Sequence, residues 1–314
     1  MFEIIFLGTS ASAPSVRRGL SSQVVKHNEH RFLIDCGEGT QRQILQSGIG
    51  FKRLDKILIT HGHLDHILGL AGLFSTFSRW ETIPEVEIMA GGYALERIKK
   101  LLYGVQIIHP RKSQIKLTMT EIQPGILFED DDFSVTAFSV SHRGPDCFGY
   151  LFEEKPRRPF LVEKADALGV PAGPLRGALV KGETITLKNG KVIGPEEVLG
   201  EEKEGTRLMH VGDTGRIDNL LAHCKGVDTL VIEATYMEEE KEMAKDFAHL
   251  TAGQAATLAK EAGVNQLILT HISRRYRERD VRNEAREIFP NTTIARDFDL
   301  YQVKRGECIK VKQN

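Results

Sequence analysis

The residues with the clearest potential for chemistry lie together in the first quarter of the chain. Four candidate metal ligands, His61, His63, Asp65 and His66, fall within six residues. They follow the apolar residues 57–59, which are typical of a buried strand. Imidazole and carboxylate groups suit Zn²⁺, Mn²⁺ or Fe, whereas four polar groups at a strand end add little to packing. The cluster therefore predicts a metal site.

Three later residues, His142, Asp213 and His271, each follow another apolar strand-like stretch. Taken alone, either histidine is explained as well by a structural role, and Asp213 by a turn. Their shared placement favours a ligand role, because ligands in α/β folds gather at strand ends. Seven ligands exceed the needs of one tetrahedral zinc and suit two metals that share a bridging carboxylate.

Alternating strand-like and helix-like patterns must position these groups, and they predict a layered α/β fold. Many of the strands are candidates for antiparallel pairing. The predicted strands are residues 3–7, 23–26, 31–34, 56–60, 86–89, 133–139, 208–211, 229–232, 266–270 and 292–295. The predicted helices are residues 40–46, 67–77, 94–102, 217–224, 252–262 and 281–288, with Thr251 as the N-cap of the fifth.

One segment, residues 155–204, differs in composition from the rest and is expected to project as an arm from a catalytic domain made of residues 1–154 and 205–314. It is rich in Gly, Pro and charge, and we expect it to have too few large apolar residues for a core of its own. Residues 155–191 carry eight basic and three acidic side chains, a net charge of +5. That charge indicates an anionic partner, and a solvated loop explains it equally well.

The composition narrows the classes of function. The chain has 314 residues and a net charge of −1, which argues against a protein that coats nucleic acid indiscriminately. No apolar run reaches membrane-spanning length, and the N-terminus does not resemble a signal peptide. Four scattered cysteines suggest neither a disulfide framework nor a cysteine zinc site, so we expect a cytoplasmic location. We expect His27, His30, His109 and His223 on the surface, and His210 packed inside.

The ligand block and several other motifs resemble the tRNase Z family of the metallo-β-lactamase superfamily. The block itself is specific only to the superfamily. Residues 35–43, residues 270–276 and the Gly173-Pro174 arm inserted between His142 and Asp213 are the features that single out tRNase Z. The loop at residues 14–19 departs from the family, since it lacks the lysine and asparagine often found there.

The resemblance implies a four-layer αββα sandwich with an inserted arm. It implies two Zn²⁺ per subunit, with Mn²⁺ or Fe as alternatives. His61, His63 and His142 would hold one metal, Asp65, His66 and His271 the other, and Asp213 would bridge them. It also implies a homodimer in which the arm of one subunit binds the tRNA elbow, through residues that include Gly173, Pro174, Arg176, Gly177 and Lys181.

The predicted reaction is removal of the 3′ trailer from precursor tRNA, leaving a 3′ hydroxyl on the tRNA and a 5′ phosphate on the trailer. Asp65 would orient the attacking water and accept its proton, while His249, held by Glu233, would protonate the departing oxygen. Glu233 as a plain surface acid is the competing explanation.

Phosphate would be bound by the stretch that begins with Ser273, Arg274 and Arg275. The alternative is that this stretch is only the solvent-exposed start of a helix. Other functions left open are a hydrolase of the same superfamily acting on a small molecule and a non-catalytic tRNA-binding protein.

Overall fold

The computed structural model describes residues 1–80, 83–105 and 115–311. Its strands are β1 (Phe2–Gly8), β2 (Ser22–His27), β3 (His30–Ile34), β4 (Lys56–Leu58), β5 (Glu85–Ala90), β6 (Lys116–Glu121), β7 (Gly125–Glu129), β8 (Phe133–Ser139), β9 (Phe148–Glu154), β10 (Ile185–Thr186), β11 (Val192–Ile193), β12 (Arg207–His210), β13 (Thr229–Glu233), β14 (Gln266–Thr270), β15 (Thr292–Ile294), β16 (Leu300–Lys304) and β17 (Glu307–Val311).

Its helices are α1 (Thr40–Gln46), α2 (Leu64–Ile67), α3 (Leu70–Trp80), α4 (Gly92–Gly104), α5 (Val162–Ala167), α6 (Pro174–Val180), α7 (Leu221–Cys224), α8 (Lys241–Asp246), α9 (Ala252–Ala262) and α10 (Glu278–Ile288). Among the described residues, no helix has both the length and the apolar character needed to cross a membrane.

Two compact units make up the chain, Met1–Glu153 with Thr206–Asn314, and Glu154–Gly205. The larger unit contains two mixed sheets, in the strand orders β17-β16-β1-β2-β3-β4-β5-β6 and β15-β14-β13-β12-β9-β8-β7. Strands β3 to β6 pair in parallel, as do β12 to β15. Most of the remaining pairs are antiparallel, as the sequence predicted for many strands.

Alternating side chains build the layers of the larger unit. In β1, Phe2 and Phe6 belong to a core cluster that also contains Phe133 and Val231 of the second sheet, so this cluster lies between the sheets. Ile5, on the opposite face of β1, packs with residues of α1, α3 and α4. The outer face of the second sheet packs with α7, α9 and α10. The period-two alternation thus produces the predicted αββα sandwich.

Two predicted helices differ from the structure. Residues 67–77 do not form one helix, because α2 ends at Ile67 and α3 begins at Leu70. At the break the Gly69 amide donates to the Cys36 carbonyl oxygen rather than within a helix. Only glycine fits so close to that loop, because a Cβ at Gly69 would lie 2.0 Å from the carbonyl oxygen of Gly37. The helix predicted at residues 217–224 is shortened to α7, which is preceded by a turn.

The expected surface position of His27 is wrong. Its ring is buried between Phe2 and Phe133, at centroid distances of 4.8 and 4.5 Å. His223 is exposed and His30 half-buried, whereas His109 lies outside the described residues. His210 is packed as predicted, with its Nε2 3.1 Å from Gln23 Oε1.

The smaller unit has a core of its own, contrary to the expectation from composition. Its buried residues are Ala165, Val170, Leu179, Ile185, Ile193 and Val198, with Phe160, Leu168, Leu175, Ala178 and Leu187 packed around them. Medium-sized aliphatic residues from two short helices and a two-stranded ribbon fill this core. A count of large side chains therefore underestimated it.

Candidate metal centre

The seven predicted ligands converge in the structure, because the strands that precede them end at a common site. Strands β12 and β14 lie on either side of β13 in a parallel arrangement, so the residues that follow them emerge at the same edge. Asp213 follows β12 and His271 follows β14. The His61–His66 block follows β4 of the facing sheet, and His142 follows β8.

The first group of ligand atoms belongs to His61, His63, His142 and Asp213, and these atoms lie within 4.8 Å of one another. His63 Nδ1 is 2.9 Å from His61 Nε2 and 3.3 Å from His142 Nε2. Asp213 Oδ2 is 3.7 Å from His61 Nε2 and 3.9 Å from His142 Nε2. Three ring nitrogens and one carboxylate oxygen therefore face a single point.

The second group contains Asp65, His66 and His271. Asp65 Oδ2 is 3.7 Å from His66 Nε2 and 3.4 Å from His271 Nε2. Asp213 Oδ2 lies 3.4 Å from His66 Nε2 and 3.5 Å from His271 Nε2, so the same carboxylate oxygen borders both groups.

The outward nitrogens of two of these rings are fixed by a buried carboxylate, Asp35. Its Oδ2 accepts a hydrogen bond from His66 Nδ1 at 2.7 Å. It also accepts from the Thr60 hydroxyl at 2.8 Å, so the Thr60 oxygen is left to accept from His61 Nδ1 at 3.0 Å. With the proton on each Nδ1, the Nε2 lone pairs of His61 and His66 point inward.

Similar contacts orient the rings of His271 and His142. The Thr235 hydroxyl donates to Glu233 Oε2 at 2.5 Å, which leaves its oxygen to accept from His271 Nδ1 at 2.9 Å. His142 Nδ1 donates to the carbonyl oxygen of Ala248 at 2.7 Å. Both rings therefore also present Nε2 to the site.

This donor set fits two divalent metals. The Nε2 atom of His66 is buried and makes no hydrogen bond with any described residue. A buried nitrogen without a partner costs free energy, and a metal ion bound to it would remove that cost. The close contacts between the inward ring nitrogens also indicate a metal. Their lone pairs would repel one another, whereas a cation between them would be coordinated by them all.

His249 and Glu233 form a separate buried pair beside the ligands. His249 Nδ1 lies 2.9 Å from Glu233 Oε1 and 3.9 Å from Asp213 Oδ2. Burial opposes a charged imidazole, but Glu233 outweighs it and raises the pKa of His249 to about 9. Glu233 is 1% exposed and also accepts from the Thr214 amide, so it is not a plain surface acid. Because Glu233 occupies Nδ1, His249 is suited to proton transfer rather than to ligation.

Comparison with proteins of similar sequence identifies the family. The model of the "Beta-lactamase superfamily domain" matches residues 188–272, and that of the "Anti-Pycsar protein Apyc1" matches residues 2–155. A ribonuclease Z from Bradyrhizobium sp. (strain ORS 278) is 45% identical over 303 residues, which cover 96% of this chain and 100% of the relative. The chain belongs to the ribonuclease Z family. Ribonuclease Z from Bacillus subtilis (strain 168) is 40% identical over 313 residues, covering 97% of this chain and all of the relative.

Two solved structures share the fold. The crystal structure of the short form of human tRNase Z matches with a TM-score of 0.68 and 26% identity, covering 96% of this chain and 98% of that one. The metallo-β-lactamase fold protein YhfI from Bacillus subtilis also has a TM-score of 0.68, at 16% identity, and covers 95% of this chain and 98% of that one.

The residues predicted to bind phosphate near the site are partly engaged with protein groups. Arg275 pairs with Glu240 at 3.2 Å, and its guanidinium lies 6.0 Å from the centre of the Tyr236 ring, which itself neighbours His249. The Ser273 hydroxyl accepts from the Arg275 amide at 3.4 Å, whereas Arg274 is exposed.

The predicted substrate-binding residues of the smaller unit lie around α6. Gly173 is its N-cap with φ of 120°, a conformation that favours glycine, and Pro174 is at the first helical position. Gly177 and Lys181 are exposed. Arg176, by contrast, pairs with Asp166 and donates to the Val170 carbonyl at 2.7 Å, so it stabilises the unit itself.

Sequence reasoning assigned no role to the groups that orient the ligands. Asp35 lay in a quoted motif, and a signal for it existed: a carboxylate that directly follows a buried strand requires a partner. Ser12 is harder to foresee, because its backbone amide donates to Asp65 Oδ2 at 3.0 Å from a left-handed conformation with φ of 57°. A main-chain donor has no residue-type signature.

Proposed function

We propose that this protein is a metal-dependent endoribonuclease that removes the 3′ trailer from precursor tRNA. Its membership of the ribonuclease Z family supports this reaction over hydrolysis of a small molecule or non-catalytic tRNA binding. The observation that carries the proposal is the buried Glu233–His249 pair beside the shared Asp213 carboxylate, because a protein that only bound tRNA would not need a positioned proton donor.

Seven residues would hold two divalent metals: His61, His63, Asp65, His66, His142, Asp213 and His271. Metals held by these residues would supply an activated water and would polarise the phosphate oxygens. Zn²⁺ is the proposed native ion, and the nitrogen-rich donor set also accommodates Mn²⁺ or Fe. Metal analysis of the purified protein tests this assignment, with two equivalents per chain as the expected result.

The protein groups divide the proton transfers between them. Asp65 orients the attacking water and accepts its proton as the water oxygen bonds to phosphorus. The bond from phosphorus to the 3′ oxygen of the tRNA breaks, and His249 donates a proton to that oxygen. Arg274 and Arg275, with Ser273, bind the phosphate oxygens around which negative charge develops. The products are a tRNA with a 3′ hydroxyl and a trailer with a 5′ phosphate.

The smaller unit is proposed to bind the tRNA elbow through Gly173, Pro174, Gly177 and Lys181, with Arg176 supporting them from within. Residues 155–191 of this unit carry a net charge of +5, which supports an anionic partner. Family membership supports a homodimer, which sedimentation analysis would test. Four free cysteines accord with a reducing cytoplasm as the place of action.

The decisive experiment incubates the metal-loaded protein with a 3′-extended precursor tRNA, beside the same molecule ending in CCA, and maps the products to the nucleotide. A single cut at the junction of tRNA and trailer is expected. Hydrolysis of a small phosphodiester without any cut in the precursor would instead favour the small-molecule function. The CCA-ending substrate reveals the effect of the altered loop at residues 14–19.

A further inference from the structure

A cavity of about 610 Å³ opens beside the catalytic pair and has no role in the chemistry described above. Its lining includes His142, Gly215, Arg216, Lys241, Lys245 and His249. It therefore adjoins both a proposed ligand and the proposed proton donor. A group bound in it would lie next to the bond that His249 helps to break.

The charge of the cavity suits a phosphate-bearing ligand. Arg216, Lys241 and Lys245 line it against one acid, Glu242. Arg216 is already paired with Asp218 at 2.7 Å, and Lys241 with Glu238 at 2.7 Å. Lys245 is exposed and forms no ion pair within the part of the chain that the structure describes. Its ammonium group is thus available to an anion.

An exposed aromatic residue is the sequence neighbour of one of the lining residues. Phe247 follows α8 and directly precedes the lining residue Ala248, yet 44% of its surface is exposed. The guanidinium of Arg143, which follows His142, lies 5.2 Å from the centre of its ring. An exposed ring combined with an available ammonium group is suited to binding a single-stranded nucleotide, with the base stacked and the phosphate paired.

We propose that this cavity binds the nucleotide immediately 5′ of the scissile phosphate, with its base stacked on Phe247 and its own 5′ phosphate near Lys245. The assignment rests on the proposed function, and its direction follows from the chemistry. His249 protonates the leaving 3′ oxygen, so the nucleotide that carries this oxygen must lie on the His249 side of the phosphate. The first trailer nucleotide lies on the opposite side.

The test combines Phe247→Leu with three precursor tRNAs: one unmodified, one lacking the base of the last nucleotide before the cut, and one lacking the base of the first trailer nucleotide. Loss of one stacking contact should lower kcat/KM about tenfold on the unmodified substrate. The same loss is expected with the trailer base missing. With the base before the cut missing, Phe247→Leu and wild type should cleave equally.

Phe247→Tyr keeps the ring and should restore the wild-type difference in kcat/KM between the substrates. Tyr103→Leu replaces another exposed aromatic residue and serves as the control for a general effect. Melting temperatures establish that the variants fold. If Phe247→Leu still lowers kcat/KM on the substrate that lacks the base before the cut, the stacking assignment is wrong. If the reduction disappears only on the substrate that lacks the trailer base, the cavity binds the first trailer nucleotide instead. Failure of the wild type to cut any precursor would instead overturn the proposed function itself.

Discussion

One buried carboxylate, Asp35, orients two of the five histidine rings in the candidate metal centre. It is fully buried, and through Thr60 and directly it fixes the tautomers of two ligand rings. We predict that Asp35→Asn weakens metal affinity about 10- to 100-fold, because the ligands lose their charged partner. Asparagine tolerates the left-handed backbone at this position, where φ is 58°, so the fold is expected to survive.

The measurement is metal retention during titration with a chelator, followed by the metal concentration needed to restore activity. Asp132→Asn, at an exposed aspartate, is the matched control. Equal retention by Asp35→Asn and wild type would show that the carboxylate does not support the ligands.

His249 and Glu233 are expected to act as one unit. We predict that His249→Asn lowers kcat about 10²- to 10⁴-fold, the range for loss of a general acid. Adding Glu233→Gln should cost little more, because the carboxylate acts through the imidazole. Rates of single and double variants measure this coupling. If the two losses multiply, Glu233 has a separate role.

A sulfur substitution tests the direction of the proton transfer. A precursor with sulfur in place of the leaving 3′ oxygen needs no protonation, since a thiolate is a far more stable anion than an alkoxide. We predict that His249→Asn cleaves this substrate nearly as fast as wild type does. A persisting deficit would place His249 elsewhere in the reaction.

At the residue scale, the convergence of the seven candidate ligands was predictable because each lies shortly after an apolar strand. The orienting contacts were not. Thr60 and Thr235 are ordinary strand-end residues in the sequence. Only the parallel pairing of β3 with β4 brings Thr60 to Asp35, and only that of β13 with β14 brings Thr235 to His271.

At the element scale, an ion pair connects the first turn of α10 with two distant parts of the chain. Glu278 pairs with Arg18 at 3.1 Å and with Arg296 at 2.9 Å. Burial opposes the charged carboxylate, but the two arginines prevail and lower the pKa of Glu278. A depressed folded-state pKa contributes stability above the unfolded-state pKa, and this contribution is lost as the pH falls through the folded-state value.

We therefore predict that Glu278→Gln lowers the free energy of unfolding by about 1 kcal/mol at pH 7. The difference should shrink below about pH 4.5, where the unfolded carboxyl group takes up its proton. Urea denaturation at pH 7 and at pH 3.5 measures it. Glu96→Gln, in an exposed helix pair with Lys100, should change stability too little to measure. A Glu278→Gln deficit of equal size at both pH values would assign its effect to packing.

Among the elements themselves, stretches with a clear apolar or periodic pattern were predictable, whereas stretches of mixed pattern were not. The helix predicted at residues 252–262 coincides with α9, including its capping box at Thr251. Strands β6, β7, β9, β10, β11, β16 and β17 and helices α5, α6 and α8 were missed. Their sequences mix polar and apolar residues, and packing against neighbours decides their conformation.

At the scale of the whole molecule, positive charge is concentrated in one part of the smaller unit, residues 155–191, whose net charge is +5. The chain as a whole is nearly neutral, yet the smaller unit exposes Lys164, Lys181, Lys188 and Lys191. None of these four forms an ion pair with another described residue. Phosphate groups that pair with such lysines release condensed counterions, which makes binding strongly dependent on salt.

We predict that replacing these four lysines with glutamine weakens precursor tRNA binding and lowers the slope of log affinity against log salt concentration by about 3 to 4, because each lost phosphate contact removes about 0.9. The matched control replaces four exposed lysines of the larger unit, Lys52, Lys225, Lys260 and Lys304. Its slope should stay at the wild-type value. Equal reductions of the slope in both variants would mean that tRNA affinity depends on the total charge of the protein. The smaller unit would then not be a specific binding surface.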